Sequence, residues 1–314
     1  MPPGNDALAQ IFTAFFDRVA IPAIATDLSL LRTVMEDINT TASEPTLVTY
    51  QEVTAGSRPA LWHIPVSAQE SKNVILYFHG GGFVTNGLNS HRKMVGHVAK
   101  RANCKALAVD YRLSPEARFP SQIEDAVEAY QWLLQQGYKA ENIATAGDSA
   151  GGNLATSLVL KLRDLNHPLP AAIIGLSPWY DMELLATGTL SSNASTDAFV
   201  QAPVLENMRS LFLPDGAPEI LFTDPLVNPL HADVTGLPPM YLAAGGYETL
   251  LDDSTKMAEK IKEAGGNVVL DVKEGMQHVY PYMAGKHEMA DETLESIGVW
   301  VNKQFATQIV KGRA

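Results

Sequence analysis

The chain has 314 residues, 46% of them hydrophobic and 18% charged, a composition typical of a globular protein with a sizeable core. Its net charge of −12 argues against nucleic acids and anionic membranes as partners, because both bind clustered lysine and arginine. The single cysteine, Cys104, excludes an intrachain disulfide and a CxxC metal site. No basic stretch precedes an apolar run near residue 1, and no run reaches the roughly 18 apolar residues of a membrane span. We therefore expect a cytoplasmic protein.

The first 44 residues carry two amphipathic helical patterns, in which apolar residues recur at i, i+3 and i+4 over 7–19 and 28–38. From residue 45 onward the apolar residues form short or alternating runs instead. These runs predict eight strands, at 45–53, 59–64, 73–78, 105–111, 142–146, 171–177, 238–243 and 267–273. Helical patterns separate the later strands, at 90–102, 121–136, 150–164, 252–264 and 287–306.

The alternation of strands with helices predicts an α/β fold with a mostly parallel sheet and helices on both of its faces. The first two strands have no helix between them and should pair antiparallel. The alternation breaks at 180–225, a long, turn-rich segment with one helical pattern at 203–213. A segment of this length is typical of a lid or a binding insertion.

The sequence Gly147-Asp148-Ser149-Ala150-Gly151 matches the G-x-S-x-G pattern of a nucleophile elbow. A predicted strand precedes it and a predicted helix follows it, which is the order that such an elbow requires. The sharp turn would hold the serine in a strained conformation and point the N-terminus of the helix at the reacting atoms. The turn alone is equally consistent with a serine that merely caps the helix.

A nucleophilic serine needs hydrogen-bond donors for the oxyanion that forms during its attack. The N–H of Ala150, directly after the serine, is one candidate. The run HGGGF at 79–83 follows the third predicted strand, and its glycines would let the N–H groups of Gly81 and Gly82 approach a ligand closely. A phosphate loop is the alternative, but neither G-x-x-x-x-G-K-[ST] nor G-x-G-x-x-G occurs. We interpret His79 as a structural residue that shapes this loop.

The serine also needs a general base, which in this arrangement follows it in the chain. Four histidines follow Ser149: His167, His231, His278 and His287. His278 lies a few residues after the last predicted strand, at the same edge of the sheet as the elbow. His167 should lie at the far end of the elbow helix, and the start of the last helix lacks the second histidine of a zinc motif. His231, in a loop, is the weaker competitor.

An acid should orient the base, and it should follow the seventh predicted strand. The candidates there are Glu248, Asp252 and Asp253. Glu248 is preferred because it is nearest to the end of the strand. Asp252 and Asp253 stand at the start of a predicted helix, where acids cap free N–H groups.

These residues and their neighbours form a set of motifs in a fixed order along the chain. The motifs are HGGGF (79–83), DYRLSPEARFP (110–120), GDSAGGN (147–153), LSPWYD (176–181) and GMQHV (275–279). Together they resemble the α/β-hydrolase fold, and within it the hormone-sensitive-lipase-like family of bacterial carboxylesterases. The resemblance implies an eight-stranded sheet with a helical cap. It also implies a reaction that needs neither a metal nor an organic cofactor.

The resemblance also assigns roles to residues of this chain. It implies that Ser149 is the nucleophile, His278 the base, and Gly81, Gly82 and Ala150 the oxyanion donors.

The family places the acid at the third position of a G-x-D-x-L-x-D-like run, here GYETLLD, and therefore at Glu248. Many members carry aspartate there, and this departure leaves Asp252 as the alternative acid. We interpret Arg112 and Glu116 as an internal ion pair that shapes a loop beneath the site.

The resemblance further predicts how the chain is divided. Residues 1–44 would form N-terminal cap helices, and residues 180–225 a cap insertion. The catalytic domain would then comprise 45–179 and 226–314. Apolar cap residues are expected to wall the pocket or to pack in the core: Phe12, Phe15, Phe16, Leu205, Met208, Leu211 and Phe212.

The expected function is a serine carboxylesterase that hydrolyses small-molecule esters with short acyl chains or compact shapes. A lactonase is the first alternative, because the run ETLLDD resembles a subgroup associated with lactones, including monoterpene lactones. A non-catalytic small-molecule receptor on the same fold is the alternative from another class, and the retained His278 counts against it. A homodimer through the predicted edge strand 267–273 is expected, unless Lys273 and Glu274 blunt that edge.

Overall fold

The computed structural model describes residues 6–19 and 21–311, without the side chains of Asp6, Phe16, Ala25 and residues 308–311. Its centre is one eight-stranded sheet. The strands are β1 (Val48–Ala55), β2 (Arg58–Pro65), β3 (Val74–Phe78), β4 (Lys105–Val109), β5 (Ile143–Asp148), β6 (Ala172–Leu176), β7 (Met240–Gly245) and β8 (Val268–Lys273). The longer helices are α1 (Asp6–Val19), α3 (Leu28–Glu36), α4 (Leu88–Arg101), α5 (Ser121–Gln135), α6 (Ala150–Asp164), α8 (Ala202–Phe212), α9 (Leu251–Glu263) and α10 (Glu288–Lys311). Two short helices, α2 (Pro22–Ala25) and α7 (Gly188–Ser192), complete the numbering.

The strand order is β1-β2-β4-β3-β5-β6-β7-β8. β1 pairs antiparallel with β2, and β2 pairs antiparallel with β4, whereas β3 to β8 are parallel. The predicted α/β fold, the mostly parallel sheet and the antiparallel opening pair are therefore confirmed. The carboxyl ends of β5, β7 and β8 meet at one edge of the sheet, which is where ligands bind in folds of this kind.

Apart from Thr145 and Asp148 of β5, the central strands are almost entirely apolar, as expected for strands that are covered by helices on both faces of the sheet. All residues of β3, β5, β6 and β7 are buried. β8 lies at the edge of the sheet, and its residues are half-buried or exposed. The core thus holds β5 firmly and fixes the turn that follows it.

Two groups of elements lie outside this sandwich. The helices α1, α2 and α3 precede the sheet, and α7 and α8 stand in the segment between β6 and β7. The pattern over 28–38 predicted one continuous helix, but α3 ends at Glu36 and a 3₁₀ turn covers Asp37–Thr40.

The predicted ion pair between Arg112 and Glu116 is wrong. Arg112 instead donates from Nε to Asp125 Oδ1 at 2.8 Å, because α5 turns this buried aspartate toward the loop. Glu116 pairs with Arg32 of α3 at 2.7 Å. The loop is therefore tied to the N-terminal helices, a contact that no local pattern indicates.

Candidate functional site

The elbow stands between β5 and α6 at the centre of the sheet. Ser149 has φ 51° and ψ −123°, a left-handed region in which a non-glycine residue is strained. A Cβ on Gly147 would collide with the carbonyl oxygen of Gly151, and one on Gly151 would collide with that of Phe78. Only glycine on both sides lets the chain turn this sharply, and the turn lifts the serine side chain out of the strand.

The residue before the serine supports the neighbouring glycine loop. Asp148 is fully buried and accepts hydrogen bonds from Tyr77 Oη at 2.8 Å, Tyr282 Oη at 2.8 Å and Gly80 N at 3.1 Å. Burial alone would raise the pKa of Asp148, but the charge of His91 and these hydrogen bonds bring it below its ordinary value. Sequence reasoning missed this role, which depends on partners far apart in the chain.

The histidine and the glutamate lie after neighbouring parallel strands. His278 follows β8, Glu248 follows β7, and His278 Nδ1 is 3.0 Å from Glu248 Oε2. Both side chains are almost completely buried, at 2% and 0% exposure. The next residue, Val279, has a left-handed backbone with φ 47°, and its N–H donates to Ser177 Oγ at 2.9 Å.

The contact between His278 and Glu248 shifts the pKa of both groups. Burial lowers the pKa of His278, but the hydrogen bond and the negative charge of Glu248 outweigh it, and the net direction is upward. Burial raises the pKa of Glu248, against the opposing effect of His278. Because the Nδ1 proton is donated to the glutamate, His278 Nε2 is left to accept a proton.

The glycine loop after β3 presents two backbone donors. Gly81 has φ 110° and Gly82 has φ 63°, and a Cβ at Gly82 would collide with Met208 of α8. Among the described residues, neither glycine N–H has a hydrogen-bond acceptor. Ala150 is fully buried at the first position of α6, where helix N–H groups also lack partners.

The histidine that opens this loop makes its contacts with Gly80 and Tyr111 rather than with Ser149. The His79 ring donates from Nδ1 to Gly80 O at 2.8 Å and stacks on Tyr111, with ring centroids 4.3 Å apart. Burial lowers the pKa of His79 to about 3, so the ring is neutral.

The competing acids and bases lie elsewhere. Asp252 accepts the N–H of Thr189 at 3.1 Å, and it does not contact His278. His231 pairs with Glu183 at 2.8 Å in a surface position.

Asp253 and the two remaining histidines have other partners as well. Asp253 accepts the N–H of Tyr180 at 2.6 Å. His167 lies 3.3 Å from Gln131, and His287 accepts the N–H of Met289 at 3.2 Å.

One cavity of about 320 Å³ brings the serine, the histidine and the glycine loop together. It is lined by Ser149, His278, Gly81, Gly82, Thr85, Asn86, Tyr282, Trp179, Phe15, Val19, Leu31, Met35, Phe199, Val200, Pro203, Val204, Leu205, Asn207 and Met208. Among the described residues, no aspartate, glutamate, lysine or arginine side chain lines it, so it suits uncharged ligands.

The expected wall residues divide into three groups. Phe15, Leu205 and Met208 line the cavity. Phe12, Leu211 and Phe212 do not, and two of them pack elsewhere: Phe12 stacks on Phe199 and Phe212 stacks on Phe83. The side chain of Phe16 lies outside the described residues. Sequence reasoning missed Phe199, Asn86 and Tyr282, because loop residues carry no periodic signal.

Within residues 6–19 and 21–311, no three histidine, cysteine, aspartate or glutamate side chains are grouped as metal ligands. None of the helices in this part of the chain is long and apolar enough to cross a membrane. Burial raises the pKa of the Cys104 thiol to about 12, so this cysteine is unreactive.

Comparison with known proteins matches this architecture. The family described as the alpha/beta hydrolase fold matches residues 75–282. The chain therefore belongs to the α/β-hydrolase fold family, in its hormone-sensitive-lipase-like group.

Individual relatives cover most of the chain. An acetyl-hydrolase from Streptomyces hygroscopicus is 35% identical over 73% of this chain and 74% of its own length. An esterase from Acinetobacter venetianus is 34% identical over 78% of each chain. The crystal structure of an esterase from the bacterial hormone-sensitive lipase family is 35% identical, with a TM-score of 0.89 over 97% of this chain and 99% of that chain.

Proposed function

We propose that this protein is a serine carboxylesterase that hydrolyses small, uncharged esters with short acyl chains or compact shapes. One observation carries the proposal: a strained elbow serine shares an apolar cavity with a histidine that is hydrogen-bonded to a buried glutamate. The names of the relatives, esterase and acetyl-hydrolase, support the same reaction class.

In the proposed reaction, Ser149 Oγ attacks the ester carbonyl while His278 Nε2 takes its proton. Glu248 holds the imidazole in the tautomer that keeps Nε2 free and stabilises the imidazolium. No hydrogen bond joins Ser149 Oγ to His278 in the described residues, so we expect the contact to form when the ester binds.

The carbonyl oxygen becomes negative in the tetrahedral intermediate. The N–H groups of Gly81, Gly82 and Ala150 would donate to it, and each is worth about 3 kcal/mol on the usual mutational scale. The imidazolium then protonates the departing alcohol. Water, deprotonated by the same histidine, releases the acid from the acyl-enzyme.

We propose that residues 1–44 and 180–225 form the cap over the serine. Side chains of α1 and α3 supply one side of the cavity, and residues 199–208 supply the other. An enclosure of about 320 Å³ favours short or compact esters over long triglycerides.

A lactonase would use the same residues on an ester whose alcohol stays tethered to the acyl group. The resemblance of ETLLDD to a lactone-hydrolysing subgroup is what favours it. A receptor that has lost its chemistry would not need the buried contact between His278 and Glu248, which counts against it.

We also propose a homodimer that pairs through β8, because this strand is the sheet edge and Val272 on it is 40% exposed. Lys273 Nζ pairs with Asp271 Oδ1 at 3.5 Å and with Glu292 Oε2 at 3.8 Å, so these carboxylates offset its charge at the edge strand. Light scattering after gel filtration tests the mass. The cytoplasmic location stays a prediction.

The proposed activity is tested with p-nitrophenyl esters of rising acyl length and a monoterpene lactone in parallel. Wild type should hydrolyse the short esters, and Ser149→Ala should lose at least about a thousandfold. Ser210→Ala, an exposed serine of α8, is the control and should retain full activity. Far faster turnover of the lactone would make the protein a lactonase, and inactivity on all substrates would favour the receptor.

A further inference from the structure

A short segment of the insertion lies against both loops that carry the acid and the base. This segment, residues 196–200, lies between α7 and α8, and we call it the strap. Asp197 stands within it and is only 4% exposed. Neither the elbow chemistry nor the lining of the cavity requires a buried carboxylate there.

Asp197 fastens the strap to the loop of the acid. Its Oδ2 accepts the backbone N–H of Thr249 at 2.7 Å and the hydroxyl of the same residue at 3.1 Å. Its Oδ1 accepts the N–H groups of Phe199 and Val200, each at 2.8 Å. Thr249 directly follows Glu248, so the carboxylate of Asp197 holds the backbone next to the proposed acid. All of these donors are uncharged, and none of them neutralises the aspartate.

The other side of the strap is fastened to the loop of the base. Gln277, which directly precedes His278, accepts the N–H of Ala198 at 2.8 Å and donates to Thr196 O at 2.8 Å. The ring of Phe199 stacks on the imidazole, with centroids 6.5 Å apart and planes at 30°. The strap therefore joins the two loops whose side chains must meet.

The largest effects of charge on His278 come from carboxylates: Glu248 in direct contact, then Asp197 of the strap and Asp148 beneath the glycine loop. Burial disfavours the imidazolium, and each carboxylate favours it. A buried negative charge near the imidazole therefore helps at the step in which the histidine holds the proton of the serine.

We propose that Asp197 is a positioning residue for ester hydrolysis: it fastens the loop of Glu248, and its negative charge supports the imidazolium form of His278. The inference rests on the proposed esterase function. It adds a residue that touches neither the substrate nor the reacting atoms.

The test compares three variants in p-nitrophenyl butyrate hydrolysis, with kcat, KM and the pH profile of kcat/KM measured for each. Asp197→Asn keeps the shape, removes the charge and replaces one accepting oxygen with a donating NH2 group. Thr249→Val removes the hydroxyl contacts to Asp197 Oδ2 and to Val200 O and keeps the charge. Asp253→Asn is the matched control, because Asp253 is also 4% exposed and also accepts backbone N–H groups, from Tyr180 and Asp181.

For Asp197→Asn we expect kcat to fall about tenfold, on the scale of residues that orient catalytic groups, with KM within about twofold of wild type. The acid limb of its profile should move to lower pH, because the imidazolium loses a stabilising charge. Thr249→Val should lower kcat by about threefold and leave the limb in place, since the charge remains. Asp253→Asn should leave the limb in place.

An acid limb that stays at the wild-type pH in Asp197→Asn would overturn the electrostatic part of the proposal. If Asp197→Asn does not fold, Thr249→Val decides, and a wild-type kcat there would overturn the fastening role. Failure of the esterase function is distinguishable, because wild type itself would then be inactive in the same assay.

Discussion

The elbow and the strap reach the same cavity, but different kinds of contact hold them. The elbow is fixed by backbone sterics within a few residues, since side chains at Gly147 and Gly151 would collide with carbonyl oxygens. The strap is fixed by side-chain hydrogen bonds to residues 52 and 79 positions away, from Thr249 to Asp197 and from Ala198 to Gln277. The position of Ser149 is therefore encoded locally, whereas the contact between Glu248 and His278 is supported by a segment that is distant from both in the chain.

The largest expected effect separates the two candidate acids that follow β7, Glu248 and Asp252. Glu248→Gln should lower kcat/KM by about a thousandfold or more, because the imidazole loses both its tautomer control and its counter-charge. Asp252→Asn, which removes only an acceptor for Thr189, should stay within about threefold of wild type. Steady-state kinetics on a short p-nitrophenyl ester measure both. The reverse ranking would show that Asp252 is the acid.

Substitution of an elbow glycine tests whether steric contacts hold this turn in place. Gly151→Ala should lower the free energy of unfolding by about 3 kcal/mol, because the new methyl group meets the backbone of Phe78, which cannot yield cheaply. Denaturant unfolding measures the loss. Gly216→Ala is the control: its surroundings are open, and only the left-handed backbone, φ 68°, costs about 1 kcal/mol. Equal losses for both variants would argue against steric locking.

The pH profile of kcat/KM should reflect the pKa of His278, the proposed base. The pKa of His278 is raised from 6.5, so the imidazole stays protonated to a higher pH, and while it is protonated it cannot accept the proton of the serine. We expect kcat/KM to fall about tenfold per pH unit below a midpoint above 6.5. A profile in buffers of constant ionic strength measures the midpoint. A midpoint at or below 6.5 would contradict the buried carboxylate environment.

The smallest effect concerns the cap side of the cavity. Met208 packs over Gly82, so Met208→Ala should enlarge the acyl space and raise the preference for octanoate over butyrate by about tenfold. The ratio of kcat/KM for the two p-nitrophenyl esters measures it. Met289→Ala, at a surface position of α10 that is 38% exposed, should leave the ratio unchanged. An unchanged ratio in Met208→Ala would place the acyl chain elsewhere.

The sequence was informative where the signal is local or periodic. The helix after the elbow is predicted at 150–164 and lies at Ala150–Asp164, because one glycine-rich turn and a long apolar pattern define both of its ends. Strand order then predicts where Glu248 and His278 lie, and the structure brings them to 3.0 Å.

The sequence was uninformative where contacts join distant, aperiodic segments. Asp197 and Phe199 stand in such a segment. Their roles follow from tertiary contacts, and a carboxylate in a polar loop is more often solvated than buried.

The most direct test of the central claim is covalent trapping of the elbow serine with phenylmethylsulfonyl fluoride. If Ser149 is the activated nucleophile, its Oγ should displace fluoride and form one sulfonyl ester. Mass spectrometry should then find the added mass on the tryptic peptide 140–161, at residue 149, and on no peptide of Ser149→Ala. No adduct on active wild type, or the same adduct on both proteins, would contradict the account.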